Sequence, residues 1–377
     1  MNTFEKNTIV NTVDVKLGSA SYQIFVGPSI LQTTGEQLKN IFDKIGHCII
    51  ISDENVASLY LDNLEDSLKC ANIKCKTFIM PPGEQSKSIS QLNIVLEDLI
   101  NSGLERNTPL IAFGGGVVGD LAGFAASILL RGIPLIQIPT TLLAQVDSAV
   151  GGKTGINSKY GKNLIGTFYQ PKLVLSDTEV LKSLSERELR AGYAEVVKYG
   201  LINDKTFFSW LESHSESLLG GDSEITTKAI TFCCNAKAKI VAKDEKERGI
   251  RALLNLGHTF AHAFEKEFGF NNSLLHGEAV SLGLILSSQL SYKIGLCPEN
   301  DVIRIRKHLE SVKLPTQAKD LPHTNFNSEK ICSHMNKDKK AKNGWPNFVL
   351  MNGIGEAEVK SVSFNTVNNL LNEFFTD

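Results

Sequence analysis

Short apolar segments alternate with amphipathic ones from the start of the chain to Asp177, and there the alternation stops. His47–Ser52 is a continuous apolar run bounded by turn residues, the pattern of a strand buried on both faces. Lys74–Met80, Pro109–Phe113 and Ile133–Ile138 are also strand-like, and segments of helical period such as Asn55–Ala71 separate them. Strands separated by helices predict an α/β domain with a parallel sheet and ligands at the carboxyl ends of its strands. From Glu179 to Leu309 nearly every segment has helical period, which predicts an all-α second domain. The division expected from this change is 1–180 and 181–377.

A chain of 377 residues is long enough for two domains, since single cores stop growing near ~250–300 residues. The net charge of −2 argues against a nucleic-acid or polyanion binder. The opening residues hold no apolar signal-peptide core, and the runs at Leu121–Leu130 and Ala279–Leu290 are too short and interrupted to span a bilayer. Seven scattered cysteines without a C-x-x-C spacing read as reduced thiols, so a cytoplasmic protein is expected.

Several stretches before Asp177 carry candidate chemistry. Gly114–Asp120 (GGGVVGD) follows a strand and opens a helix, so its backbone can approach a phosphate at the helix N-terminus. It lacks the G-x-G-x-x-G spacing of the dinucleotide fingerprint. A pyrophosphate-binding turn and a plain tight connection are both compatible with it. Asp53 directly follows a buried strand, where it can bind a ribose hydroxyl or cap the next helix. Glu84 and Lys87 lie in a PPGEQSK turn, within reach of a nucleotide. In Pro139–Asn157 and Gly161–Gly166, Asp147, Lys153, Lys162 and Asn163 sit among glycines. Lys153 after Gly151–Gly152 suits an anion, although the spacing is not that of a Walker A loop.

The densest polar pattern is Arg251–Glu278. Arg251, Asn255, His258 and His262 follow at steps of four, three and four, which on one continuous helix places them along one stripe. His276 opens the next helix. Apolar flanks at Leu253, Leu254 and Phe260 imply burial, where polar groups need partners. Upstream, Glu195 and Lys198 stand three apart inside an apolar helix, an arrangement that suits either an ion pair or a metal ligand. Glu195 with two of the three histidines makes a His₂Glu set, which leaves zinc positions open for a substrate. Spacing alone favours His258 with His262, as in H-E-x-x-H, but Thr259 replaces the glutamate that a metalloprotease needs.

These motifs together, with AGYAEVVKYGLI, LLNLGHTFAHAFE, LLHGEAVSLG and KDKKAKNGWPNFVL, closely resemble the 3-dehydroquinate synthase family of sugar-phosphate cyclases, over almost the whole chain. The resemblance implies a Rossmann-like NAD-binding domain, a helical metal- and substrate-binding domain with the active site in the cleft between the two, and a homodimer. Its metal ligands, zinc or cobalt, match Glu195, His258 and His276, which moves His262 to the substrate phosphate. Its NAD positions match Asp53, Glu84, Lys87, the run Gly115, Gly116, Val117, Val118, Gly119 and Asp120, then Thr140, Thr141, Lys153, Lys162, Leu181 and Ser183. Its substrate positions match Arg131, Asp147, Lys153, Asn163, Lys237, Arg251, Asn255, His262 and one of Lys339 and Lys340, the first being preferred. Catalytic roles fall on Lys153, Lys198, Glu247, Arg251, Asn255 and His262. Two departures are conservative: Ala149 stands where a serine is common, and Ser183 where a threonine is.

The implied substrate is 3-deoxy-D-arabino-heptulosonate 7-phosphate, a phosphorylated sugar acid. The implied reaction is transient oxidation by NAD, phosphate elimination, re-reduction, ring opening and an intramolecular aldol to 3-dehydroquinate, a step of the shikimate pathway. Arg251 and Lys237 suit the carboxylate, and Lys153, Asn163, Asn255 and His262 the phosphate. Another sugar-phosphate cyclase would keep the phosphate set and change the carboxylate set. A metal- and NAD-dependent polyol dehydrogenase would lack the phosphate set.

Overall fold

A computed structural model of the protein describes residues 10–270, 272–321, 326–335 and 345–376. Its strands are β1 (Asn11–Val15), β2 (Tyr22–Gly27), β3 (His47–Asp53), β4 (Lys74–Met80), β5 (Leu110–Gly114), β6 (Leu135–Pro139), β7 (Lys153–Ser158), β8 (Gly161–Phe168), β9 (Leu173–Asp177), β10 (Asn347–Met351) and β11 (Ala357–Ser361). Its helices are α1 (Thr34–Ile41), α2 (Glu54–Cys70), α3 (Ile89–Asn101), α4 (Gly116–Ile128), α5 (Glu186–Asn203), α6 (Lys205–Leu219), α7 (Ser223–Lys243), α8 (His258–Glu267), α9 (His276–Lys293), α10 (Glu299–Ser311), α11 (Ser328–Met335) and α12 (Phe364–Thr376).

The chain forms two compact units, Met1–Ser185 with Gly221–Lys246, and Glu186–Gly220 with Glu247–Asp377. This differs from the continuous division expected at residues 180 and 181. Helix α7 returns to the first unit because it packs on β1, β2 and the turn Ala144–Ser148. Asn11 Nδ2 donates to Thr231 Oγ1 at 3.1 Å, and Cys234 Sγ to the Gln145 carbonyl at 3.3 Å. Helical period identifies α7 as a helix but says nothing of which core it joins.

The first unit is built on a seven-stranded sheet in the order β1-β2-β9-β6-β5-β3-β4. Only the β1–β2 pair is antiparallel. Alternation along each strand feeds two apolar layers. Ile49, Ile51, Leu110 and Ala112 pack on one face with Leu92 and Val95 of α3 and Leu121 and Ala122 of α4. Cys48, Ile50, Ile111 and Phe113 pack on the other with Leu38 of α1 and Leu64 and Leu68 of α2. The strand order reverses between β3 and β5, with β4 beside one and β6 beside the other. Asp53 and Gly114 end these two strands, so the switch point where open α/β sheets bind ligands falls between them.

β7 and β8 form an antiparallel hairpin where the sequence reads as a glycine-rich loop. Gly155 and Gly166 lie opposite one another in it, and most of β8 is exposed, so no apolar alternation marks the pair.

The second unit is helical as expected, with one added hairpin, β10–β11. Helix α9 has 13 of its 18 residues buried. Two glycines let other backbone approach α9 closely: a Cβ on Gly277 would lie 1.8 Å from the Ala191 carbonyl oxygen of α5, and one on Gly283 2.1 Å from that of Gly257. Gly257 is left-handed (φ 80) and interrupts the helix expected through Arg251–Phe264. Ile250–Asn255 is a 3-10 segment, and α8 begins afresh at His258. Among the described residues no helix is long and apolar enough to cross a membrane.

His308 is buried in this unit, its Nε2 in a hydrogen bond of 3.0 Å with the Tyr193 hydroxyl. Burial holds its pKa down to about 4, against a weaker upward pull from Glu212. The folded state thus prefers a neutral ring. The associated stability is complete above the unfolded value of 6.5 and is lost as pH falls toward 4. At about 1.4 kcal/mol per pH unit the loss reaches roughly 3 kcal/mol. Chemical unfolding of wild type and His308→Gln across this window should show the stability gap narrowing as pH falls; a constant gap would exclude the buried neutral ring as its source.

Candidate functional site

In the first unit the candidate NAD residues gather at the carboxyl ends of β3, β5 and β6. Asp53 caps α2, its Oδ1 accepting from the N–H groups of Asn55 and Val56 at 3.0 and 3.1 Å. Gly115 precedes α4, which has no side-chain cap, leaving its first N–H groups directed outward from the strand end. A Cβ on Gly115 would meet Thr141 Cγ2 at 3.1 Å, so the turn is a cradle only a bare backbone leaves open. Val117, Val118 and Gly119 form the first turn of α4, and Val118 is core. The buried Thr140 hydroxyl has no hydrogen-bond partner, while Thr141 Oγ1 accepts from the Ala144 N–H at 3.1 Å.

Beside this cradle Lys87 is buried, its ammonium donating to Asp120 Oδ2 at 2.7 Å and Asn163 Oδ1 at 2.6 Å. Glu84 Oε1 accepts from Asn157 Nδ2 at 2.7 Å and lies 4.0 Å from Lys162 Nζ. Removal from water raises the Asp120 carboxyl above its ordinary range, against the opposing pull of Lys87. Glu84, Lys87, Asp120, Lys162 and Asn163 are therefore one network across three separate segments. Asn157 belongs to it as well, since its Oδ1 accepts from the Asn163 N–H at 2.9 Å. Asn157 is not among the residues the sequence singles out; its one signal is a carboxamide at the end of the stretch that also holds Asp147 and Lys153. Leu181 and Ser183 lie on a 3-10 turn, where Ser183 Oγ donates to the Val180 carbonyl.

Of the candidate substrate residues in this unit, Lys237 reaches from α7 to Asp147, donating to its carbonyl at 2.7 Å and its Oδ1 at 2.9 Å. Lys153 is exposed at the start of β7 and Arg131 is exposed after α4. Arg131 and Asn163 are left-handed, at φ 70 and φ 53. Glu247 of the second unit is too, at φ 56. Such backbone costs non-glycine residues of order 1–3 kcal/mol and concentrates at functional positions.

In the second unit Glu195, His258 and His276 present ligand atoms within 4.8 Å of one another. Glu195 stands in the wholly buried middle of α5, and the two histidines are the first residues of α8 and α9. His258 Nε2 and His276 Nε2 lie 3.3 and 3.4 Å from Glu195 Oε1. Neither carboxylate oxygen of Glu195 has a hydrogen bond of proper alignment, although both are buried. Lys198 contacts its Oε2. Burial pushes the Glu195 carboxyl up, but Lys198 and then the imidazoles outweigh it and hold the group well below the usual range. Each imidazole has its Nδ1 engaged elsewhere, His258 with the Leu256 carbonyl at 3.1 Å and His276 with Glu265 Oε1 at 3.3 Å. Desolvation lowers the His276 pKa, yet Glu265 and Glu195 bring it to about 10. A misaligned buried carboxylate facing two Nε2 atoms is the donor set of a His₂Glu metal site, and the residues fit a zinc-like ion.

His262 is exposed one turn further along α8. Its ring centroid lies 5.5 Å from that of His258 and 6.3 Å from that of His276, and it is not one of the three clustered ligands. The pair favoured by spacing alone is therefore not the pair whose atoms converge with Glu195. Arg251 is buried, and Asn255 Nδ2 donates to Glu247 Oε1 at 2.7 Å. Lys339 and Lys340 lie outside the described residues.

This geometry depends on the contact that Gly277 allows. Gly277→Ala forces α9 away from Ala191 and carries His276 from Glu195. Zinc affinity, measured by competition with a chromophoric chelator, should fall at least tenfold; unchanged affinity would show that the close approach does not set the cluster.

Residues 77–191 match the family described as 3-dehydroquinate synthase N-terminal, and residues 192–341 match 3-dehydroquinate synthase C-terminal. The 3-dehydroquinate synthase of Rhodospirillum rubrum is 51% identical over 348 residues, 92% of this chain and 90% of that protein. Two solved structures share the fold at a TM-score of 0.85. One is a 2-epi-5-epi-valiolone synthase from Streptomyces hygroscopicus with NAD+ and Zn2+ bound, 28% identical over 95% of this chain and 98% of that one. The other is a 2-deoxy-scyllo-inosose synthase complexed with carbaglucose-6-phosphate, NAD+ and Co2+, 26% identical over 97% of this chain and 100% of that one. The chain belongs to the 3-dehydroquinate synthase family.

Proposed function

We propose that the protein converts 3-deoxy-D-arabino-heptulosonate 7-phosphate to 3-dehydroquinate and phosphate, with NAD and a divalent metal as cofactors. The observation that carries this reading is the Glu195–His258–His276 cluster around a buried carboxylate, in one unit with buried Arg251, in a chain half identical to a protein of that name. NAD, when bound, supplies a hydride acceptor that later returns the hydride, and the metal supplies Lewis acidity at neighbouring hydroxyls. Glu195, His258 and His276 would hold the metal. Asp53, the backbone of Gly115–Asp120, Thr140 and Thr141 would hold NAD, with Glu84, Lys87, Lys162, Leu181 and Ser183 bordering it.

The remaining residues bind and orient. Arg251 offers a planar guanidinium to the carboxylate of the substrate. Lys237 is already partly neutralised by Asp147, so in this reading Arg251 carries most of the charge recognition. Lys153, Asn163, Asn255, His262 and Lys339 or Lys340 take the phosphate. Glu247 orients Asn255 through its hydrogen bond, and Lys198 keeps Glu195 ionised.

The acid-binding set separates this function from that of other cyclases of the fold, and the phosphate set separates it from a polyol dehydrogenase. Incubation of the purified protein with the heptulosonate phosphate, NAD+ and zinc should release phosphate without net NADH. Absence of phosphate release, or NADH accumulating with turnover, would overturn the assignment. Arg251→Met should lower kcat/KM about tenfold to a hundredfold, the size expected for a charged hydrogen-bonded contact of ~1.5–3 kcal/mol.

The reading includes a cytoplasmic homodimer. Its seven cysteines are free, which suits a reducing compartment. The exposed strand β8 supports the dimer: Leu164, Ile165 and Phe168 are exposed along it, and Thr167 Oγ1 bonds Ser127 beside exposed Ile128, Leu130 and Arg131. An apolar strand of this kind is an association surface unless covered. Light scattering should give twice the chain mass, and Leu164→Lys with Ile165→Lys should halve it; a wild-type monomer would remove the dimer from the reading.

A further inference from the structure

We propose that Glu265 is a positioning residue for the metal site, fixing the His276 ring so that Nε2 is the metal-binding atom; this rests on the reading of Glu195, His258 and His276 as ligands. Glu265 stands seven residues after His258 on α8, two turns along the same face, where it meets the first residue of α9. It is 2% exposed, and its Oε1 lies 3.3 Å from His276 Nδ1. A carboxylate can only accept, so Nδ1 carries the proton, and in the neutral ring that binds a metal the lone pair is left on Nε2. Nε2 is the atom that faces Glu195 Oε1, at 3.4 Å.

His258 is held the same way by a different acceptor. Its Nδ1 meets the Leu256 carbonyl at 3.1 Å and its Nε2 faces the same oxygen of Glu195. The backbone therefore sets one ring and a side chain sets the other. The carbonyl cannot be mutated away, but the carboxylate can, so the site has one orientation contact open to substitution. Glu265 also places a second negative charge close to the site, beside that of Glu195 and partly offset by Lys198. It is too remote from the convergence of the three ligand atoms to be counted among them, and the clustered set omits it. Carboxylates that hold a ligating imidazole in this way change metal affinity by about ten- to hundredfold when removed.

The test is zinc affinity of the full chain by competition with a chromophoric chelator, together with the visible spectrum of the Co(II)-loaded protein. Glu265→Gln should bind zinc about tenfold to a hundredfold more weakly, with the coordination number read from the Co(II) band intensities unchanged. Glu267→Gln, on the same helix but bonded to Lys330 and His334, should bind as wild type does. Equal affinity of wild type and Glu265→Gln would overturn the role of Glu265 and leave the metal reading intact. A Co(II) spectrum showing one ligand lost would also overturn it, by making Glu265 a ligand. No stoichiometric zinc on wild type would overturn the metal reading and this inference with it. A measurement that needs no variant is ¹⁵N NMR of the zinc-loaded wild type. His276 should be protonated at Nδ1; protonation at Nε2 would overturn the proposal even if the variants fail to fold.

Discussion

An ionised carboxylate in the middle of a wholly buried helix is the constraint around which the second unit is arranged. Glu195 is 1% exposed, and from Ala191 to Ile202 every residue of α5 is buried. Burying a lone charge costs several kcal/mol after relaxation, so the fold must bring compensation to it. Lys198 supplies a cation from the next turn of the same helix, which local sequence alone can arrange. The imidazoles have to come from elsewhere, and each is the first residue of its helix. That placement demands that α9 pack against α5 and against the segment before α8 at less than ordinary distance. Gly277 and Gly283 meet the demand, since any side chain at either would overlap backbone. The polar cluster and the glycines are thus one design seen from two sides.

The first unit meets its own polar burdens with backbone more than with side-chain charge. Asp177 ends β9 and accepts from the N–H groups of Ser29, Leu31 and Glu179, tying the connection after β2 and the turn after β9 to one strand end. Burial still holds its carboxyl above the usual range despite those donors. Gln145 ties the ends of β6 and β9 by donating to the Pro139 and Asp177 carbonyls. The strand ends that carry the candidate cofactor residues are fixed in this way. The cradle at Gly115 then needs only an open backbone and an uncapped helix, a division of labour that suits a phosphate better than a cation.

What the sequence made legible follows from which forces are local. The strands β3, β5 and β6 are apolar on both faces and bounded by turn residues, so period and composition identify them. Helices of the second unit were equally plain. The hairpin β7–β8 was not, because glycines occupy facing positions and β8 turns most of its residues to solvent, which removes the alternation on which a strand reading depends. The membership of α7 was illegible for another reason: a helix buries its apolar face as well against a sheet as against other helices. At the site, residue types and order pointed to a metal and anions. Glu265 and Asn157 were passed over because their roles lie in contacts between segments far apart in sequence or separated by a turn.

The treatment of His262 shows how far spacing can carry such an argument. On one continuous helix Arg251, Asn255, His258 and His262 share a stripe, and the i, i+4 histidines are the natural metal pair. The chain is not continuous there. Gly257 takes a left-handed backbone, the preceding turn tightens to a 3-10 segment, and α8 starts at His258. A histidine at a helix start can turn its ring toward α5, where the carboxylate is. One full turn later the side chain of His262 is exposed, within 6.3 Å of the His276 ring but off the cluster. The same break moves Arg251 and Asn255 off the helix and into a turn, where Asn255 answers to Glu247 and not to the histidines. One glycine with positive φ thereby converts a uniform stripe into two sets of residues with different tasks. The sequence marks that glycine, but only the packing against Gly283 shows why the chain must break there.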